Sequence, residues 1–234
     1  MDLQQSELLP TGTGLITEPL VKSECLAHHN DVIVEGLVQQ GWVAIPNYLD
    51  PELCDELRME MLRYHEQNRF QKAGIGRIDE RHRNEKIRRD KIYWLEGSTS
   101  AQRTYLDLMA DLRQHINREL FLGLFDLEAH YAVYEPGDFY RKHLDAFRGR
   151  SSRVVTVVSY FNPQWREEDG GLLNIYDSDD RALVSQIMPL AGTLVCFLSE
   201  KIPHEVTPTA QLRCSIAGWF RHNGSTGELV DPPA

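Results

Sequence analysis

The chain has 234 residues, 41% hydrophobic and 26% charged, an ordinary globular composition long enough for one sizeable core. Its 25 basic residues stand against 35 acidic ones, and the net charge of −10 argues against a nucleic-acid binder. No apolar run approaches the roughly 18 residues of a membrane span, and the opening Met1–Ser6 lacks the pattern of a signal peptide. Cys25, Cys54, Cys196 and Cys214 form neither a C-x-x-C pair nor a zinc spacing, so the expectation is a reduced, cytoplasmic protein that touches no membrane.

Residues 1–30 are polar and carry Thr11-Gly-Thr-Gly14, and read as a flexible arm ahead of a single domain over 31–234. From Asp31 the spacing of Val32, Ile33, Val34 and Leu37 predicts a helix stopped at Gly41. Trp42–Tyr48 is strand-like. Asp50 followed by Pro51 predicts a capped helix to near Arg69, with Leu53, Leu57, Met61 and Leu62 inward. Gly74-Ile-Gly76 lacks the third glycine of a dinucleotide fingerprint. Residues 77–91 hold seven arginines and lysines against four acids; the loop at 71–90 that contains most of them reads either as a solvated surface loop or as a lid over an extended peptide. Ile92–Leu95 is a short strand, and Tyr105, Leu108, Met109, Leu112 and Ile116 mark a helix over about 100–120. Beyond Leu127 short strands follow one another (127–134, 139–144, 154–161, 172–176, 184–188, 193–198 and 213–221), parted by turn residues such as Asp169-Gly-Gly171. Helices first and strands afterwards predict an α+β fold: a double-stranded β-helix, or jelly roll, over about 127–222, buttressed by the N-terminal helices.

Two candidate metal ligands, His143 and Asp145, are separated by one residue, which turns both to the same face of a strand. His204 would complete two imidazoles and one carboxylate, a set that covers one face of an octahedral ion and leaves the other positions open, as in non-haem Fe(II) oxygenases. A His-x-Asp pair is common by chance, and a lone histidine at 204 is more often an ordinary core or surface residue. On the strand 213–219, Arg213, Ser215, Ala217 and Trp219 share a face, and an arginine among small residues resembles the floor of an anion pocket. The bland reading is a surface arginine at a strand start. Thr156, Val158 and Tyr160 share another face, and the Tyr160 hydroxyl is either a partner for the same anion or a satisfied core group. The remaining histidines, among them His130, carry no signal beyond core or surface.

Taken together, His143-x-Asp145, His204, Arg213 and Trp219 resemble the 2-oxoglutarate- and Fe(II)-dependent dioxygenases. The chain is most similar to the oxygen-sensing prolyl hydroxylases acting on hypoxia-inducible factor and to their bacterial relatives. Arg89–Gly97, Arg153–Asn162, Gly170–Tyr176 and Pro203–Val206 carry the likeness, which spans about residues 31–222. The resemblance implies Fe(II) on His143, Asp145 and His204. It implies 2-oxoglutarate held by Arg213 and Tyr160, with Tyr134 beside it, and substrate contacts from Asp90, Trp94, Arg153 and Trp219. It implies O2 as cosubstrate, ascorbate as an accessory, and hydroxylation of a protein proline at C4 with release of succinate and CO2. Elongation factor Tu is the candidate protein if the chain is bacterial. Two other readings stay open: an oxygenase of the same class acting on a nucleobase or small molecule, and a non-catalytic binding module of the same fold. Ala217 stands where the animal enzymes carry a hydroxyl, a departure that bears on substrate rather than on reaction class.

Overall fold

The computed structural model describes residues 18–73, 86–146 and 151–223; most of the charged loop discussed above, with Gly74 and Gly76, lies outside these. Three helices, α1 (Glu18–Gln39), α2 (Pro51–Glu66) and α3 (Ser100–Leu120), are joined to eleven strands among the described residues. The early strands are β1 (Trp42–Ile45), β2 (Gln71–Lys72) and β3 (Lys91–Trp94). Then come β4 (Asp126–Tyr134), β5 (Tyr140–His143), β6 (Arg153–Tyr160), β7 (Leu173–Tyr176) and β8 (Leu183–Ile187). The last are β9 (Leu194–Leu198), β10 (His204–Val206) and β11 (Arg213–Arg221). They form a seven-stranded sheet, β1-β9-β6-β11-β4-β3-β2, and a four-stranded sheet, β5-β10-β7-β8. The ladders are antiparallel, and the expected α+β jelly roll backed by helices is what the chain forms.

Strand alternation splits the large sheet into two working faces. Ala129, Tyr131 and Val133 of β4 join Val155, Val157, Cys214, Ile216 and Phe220 in a core with Ile33, Leu37, Leu57, Met61, Tyr105, Met109 and Leu112 of the helices. The intervening Ala132, Tyr134, Val158 and Tyr160 pack instead with Leu173, Ile175 and Val206 of the small sheet. The cavity opens on this second face.

Several boundaries differ from expectation for local reasons. Helix α1 begins at Glu18, well inside the stretch read as an irregular arm. Its inward row runs Leu26, Asn30, Ile33, Leu37, and the polar Asn30 hides the periodicity; its side chain is buried and accepts a hydrogen bond from the Tyr48 hydroxyl at 2.9 Å. Strand β1 stops at Ile45 rather than Tyr48, because Pro46 has no N–H to pair and Asn47 turns to φ 56°. Helix α2 starts as expected, with Asp50 accepting from the Glu52 N–H at 2.9 Å and Pro51 in the first turn. Helix α3 is capped by Thr99. Glu60 of α2 accepts from Gln102 of α3 and from the Tyr131 hydroxyl, and Gln102 also accepts from the backbone N–H of Glu96 and Ser98. That buried network fixes the helices to β4 and to the turn after β3.

Candidate active site

The minor sheet delivers the two imidazoles. His204 of β10 lies directly across from His143 of β5, a pairing that the sequence conceals because β10 is only three residues long. The expected strand 139–144 is cut to Tyr140–His143, so Asp145 sits just past its end rather than on it. The Asp145 oxygens lie 3.4 Å from His143 Nε2 and 3.6 Å from His204 Nε2, and the three ligand atoms fall within 4.8 Å of one another. His143 Nδ1 is 2.8 Å from the Arg141 carbonyl and His204 Nδ1 is 3.1 Å from that of Ile202. Donation to those carbonyls assigns the proton to Nδ1 on both rings and leaves both Nε2 lone pairs facing the carboxylate.

The electrostatics favour a cation. Burial, then the neighbouring His143, lowers the proton affinity of His204 to a pKa of about 4, so its imidazole is neutral and free to ligate. Burial works against the Asp145 carboxylate, but His204, His143 and Arg153 outweigh it and hold the group below the usual carboxylate range. Thr156 donates to Asp145 Oδ2 at 2.8 Å, and its oxygen is 2.9 Å from that of Ser199. Because an ionised carboxylate only accepts, the Thr156 proton goes to Asp145 and the Ser199 hydroxyl must point at Thr156. His143 Nε2 is sealed from solvent without a hydrogen-bond partner. Two imidazole nitrogens, one of them orphaned, and one carboxylate oxygen fit a ferrous ion with open coordination positions.

Arg213 is 1% exposed and lies on the same cavity. Its Nε donates to the Gly171 carbonyl at 2.9 Å and Nη1 to Ser215 Oγ at 3.1 Å. Its guanidinium carbon stands 4.9 Å from the Tyr134 ring centre and 5.0 Å from that of Tyr160. Among the described residues no carboxylate pairs with it. The Tyr160 hydroxyl is buried without a partner, and burial, partly offset by Arg213, pushes its pKa up to about 12, so it remains a donor. A desolvated guanidinium with spare N–H groups beside a spare hydroxyl calls for a small carboxylate. Gly171 makes this seat possible: its φ is +61°, and a Cβ there would lie 3.1 Å from Arg213 Cδ.

The residues expected at the substrate side are distributed unevenly. Trp219 lines the cavity together with Arg88, His130 and Tyr140. Asp90, Trp94 and Arg153 stand one residue behind it. Asp90 is buried with both oxygens on Arg88, at 2.5 and 2.8 Å. Trp94 meets the His130 ring edge-on at 5.1 Å, and the Arg153 guanidinium covers Trp219 at 3.5 Å. Tyr140, absent from the sequence reading, stacks on His143 at 3.5 Å and 17°. Val206 pairs with Tyr140 while His204 pairs with His143, so β5 carries one extra residue between them. This bulge brings residues three apart onto one face, which simple alternation does not foresee. Arg88 lies 4.6 Å over the same tyrosine ring, and residues 87–89 pair with 139–141, joining the end of the charged loop to β5.

Residues 129–221 match the model of the 2OG-Fe(II) oxygenase superfamily. The chain is 39% identical to a Pseudomonas putida prolyl-4-hydroxylase of known structure, with a TM-score of 0.75, covering 83% of this chain and 100% of that one. It is 27% identical to a Trichoplax adhaerens prolyl hydroxylase solved with a hypoxia inducible factor oxygen degradation domain peptide, with a TM-score of 0.78 over 88% of this chain and 94% of that one. Human Egl nine homolog 1 is 28% identical over 201 residues, 81% of this chain and 46% of that protein. The chain thus spans about half the length of the curated relatives it matches, 46% of the human protein and 58% of the rat one.

Proposed function

The chain belongs to the 2OG-Fe(II) oxygenase superfamily, and on that premise we propose that it is a prolyl hydroxylase acting on a protein. The reaction would add one oxygen atom of O2 to a prolyl carbon, C4 in our reading. The second oxygen atom would enter 2-oxoglutarate as it loses CO2 and becomes succinate. The observation that carries the proposal is the juxtaposition of His143, Asp145 and His204 with a buried, acid-free Arg213 on one cavity. The names of the similar hydroxylases support proline as the target.

Fe(II), when bound, supplies the O2 chemistry, and ascorbate would serve to keep it reduced. The protein's own residues supply geometry. Arg213 and Tyr160 would hold the far carboxylate of 2-oxoglutarate, with the Tyr134 ring, 4.9 Å from the guanidinium, closing one side. Thr156 and Ser199 fix the plane of the Asp145 carboxylate, and the two backbone carbonyls fix the imidazoles. Ala132, Val158 and Leu173 give the cavity dry walls, so charge interactions there are little screened. No side chain is asked to act as a strong base. Elongation factor Tu is the candidate protein if the chain is bacterial, and four free cysteines support a reducing, cytoplasmic setting.

The test incubates the whole chain with Fe(II), 2-oxoglutarate, O2 and purified elongation factor Tu or total host protein, followed by peptide mass spectrometry. A one-oxygen gain localised to proline, matched by succinate and abolished in His143→Ala, is expected. Succinate formed alongside oxidation of a nucleobase or small molecule, with proline untouched, would refute the proposal.

A further inference from the structure

One buried polar side chain on the cavity wall holds neither the metal site nor the anion seat. His130 shares the inward face of β4 with Ala132 and Tyr134 and is 1% exposed. Its Nδ1 lies 3.1 Å from the Tyr131 carbonyl. Donation to that oxygen places the ring proton on Nδ1 and leaves Nε2 as a bare acceptor. No donor among the described residues serves Nε2. The ring is also neutral: burial, then Arg88, pushes its pKa down to about 3 despite Asp90.

The ring is held rather than loose. Trp94 meets it at 88° and 5.1 Å, and Trp219 lies 5.4 Å away on the other side. Across the ladder its partner on β11 is Ala217, whose small side chain leaves room beside it. Trp219 Nε1 is itself a buried donor without an acceptor. An apolar wall would need neither group. An acceptor and a donor on neighbouring rings match the N–H and C=O of a peptide, and a buried polar group left unpaired is costly, so the match discriminates. Proline has no N–H, which makes the amide that follows it the nearest donor to the reacting ring.

Building on the prolyl reading above, we infer that His130 reads the substrate main chain, its Nε2 accepting a hydrogen bond from the N–H of the residue after the target proline. His130 is therefore a specificity residue that touches substrate and leaves the metal and cosubstrate alone.

The test uses the Fe(II)-loaded full chain and two capped libraries. One has the form acetyl-Xaa-Xaa-Pro-Xaa-Xaa-amide; in the other, ester oxygen replaces the nitrogen after proline. Wild type should hydroxylate the amide library with kcat/KM about tenfold above the ester library. His130→Met should lose that preference, falling about tenfold on the amide and matching wild type on the ester, while His130→Gln, which restores a carbonyl acceptor, regains most of it. Stabilisation of each variant by 2-oxoglutarate with Mn(II) in a thermal melt verifies a folded cosubstrate pocket. An amide preference retained by His130→Met overturns the inference. Equal use of both libraries by wild type also overturns it while leaving prolyl hydroxylation standing. Hydroxylation of neither library by wild type, with 2-oxoglutarate still consumed, rejects the prolyl reading and this inference together.

Discussion

Exchanging Arg213 for lysine keeps the charge and removes the planar fork, so it measures what the fork contributes. In the structure Nε is committed to the Gly171 carbonyl and one Nη1 hydrogen to Ser215. Of five N–H groups three remain, enough for two parallel bonds to a carboxylate. An ammonium at the end of a flexible stem makes one such bond, and it also abandons Gly171 and Ser215. Losing one charge-assisted bond costs about 1.5–3 kcal/mol, which corresponds to roughly 10- to 150-fold weaker binding. The assay is calorimetric titration of 2-oxoglutarate into anaerobic, Mn(II)-loaded protein, with KM for 2-oxoglutarate measured in parallel. Both constants should rise together in Arg213→Lys, while metal affinity without 2-oxoglutarate stays at the wild-type value. Binding within about twofold of wild type, ~0.4 kcal/mol, would show that Arg213 is a structural residue and that the anion lies elsewhere.

Two further outcomes follow from contacts around the cavity. Thr156→Val keeps the volume and removes the hydroxyl that Asp145 Oδ2 accepts from, so Fe(II) or Mn(II) affinity should fall by about tenfold, the equivalent of one lost bond to a charged group; unchanged metal affinity would mean that the neighbouring imidazoles alone orient the carboxylate. His130, lowered from 6.5 to about 3, is neutral in the fold but takes up a proton in the unfolded chain below its ordinary value. Its contribution is therefore present above pH 6.5 and is lost as pH falls, by about 1.4 kcal/mol per unit. Chemical denaturation at several pH values should show wild type losing roughly 2 kcal/mol relative to His130→Met between pH 6.5 and 5; parallel pH profiles would refute a neutral buried imidazole.

The sequence is legible where side-chain period and chemistry agree. Arg213, Ser215, Ala217 and Trp219 occupy alternate positions of one uninterrupted strand, and the structure places them along one wall. The separation of His143 and Asp145 marks them as a pair, although the strand ends between them and a bend, not alternation, brings both to the ligand cluster. Tyr140 is not legible from sequence because its place beside His143 depends on an extra residue opposite β10, a property of two strands at once. His130 carries no signal in the sequence, because one histidine on a strand says nothing until the partner across the ladder is known to be alanine. Ser199 and Gly171 act through others, on Thr156 and Arg213, and such roles have no local pattern. The notion of a lid rests on a stretch whose middle, 74–85, lies outside the described residues; its end, Lys86–Asp90, is joined to β5.

Asp145 leans on β6 of the large sheet through Thr156, and the N–H of the next residue, Ala146, bonds to the carbonyl of Ser199 just after β9. Both imidazoles, by contrast, come from the small sheet. An ion gripped by all three would thus rivet one layer of the roll to the other. Stripping it with a chelator should let the layers part independently, so that a single sharp melt becomes broader or divides in two.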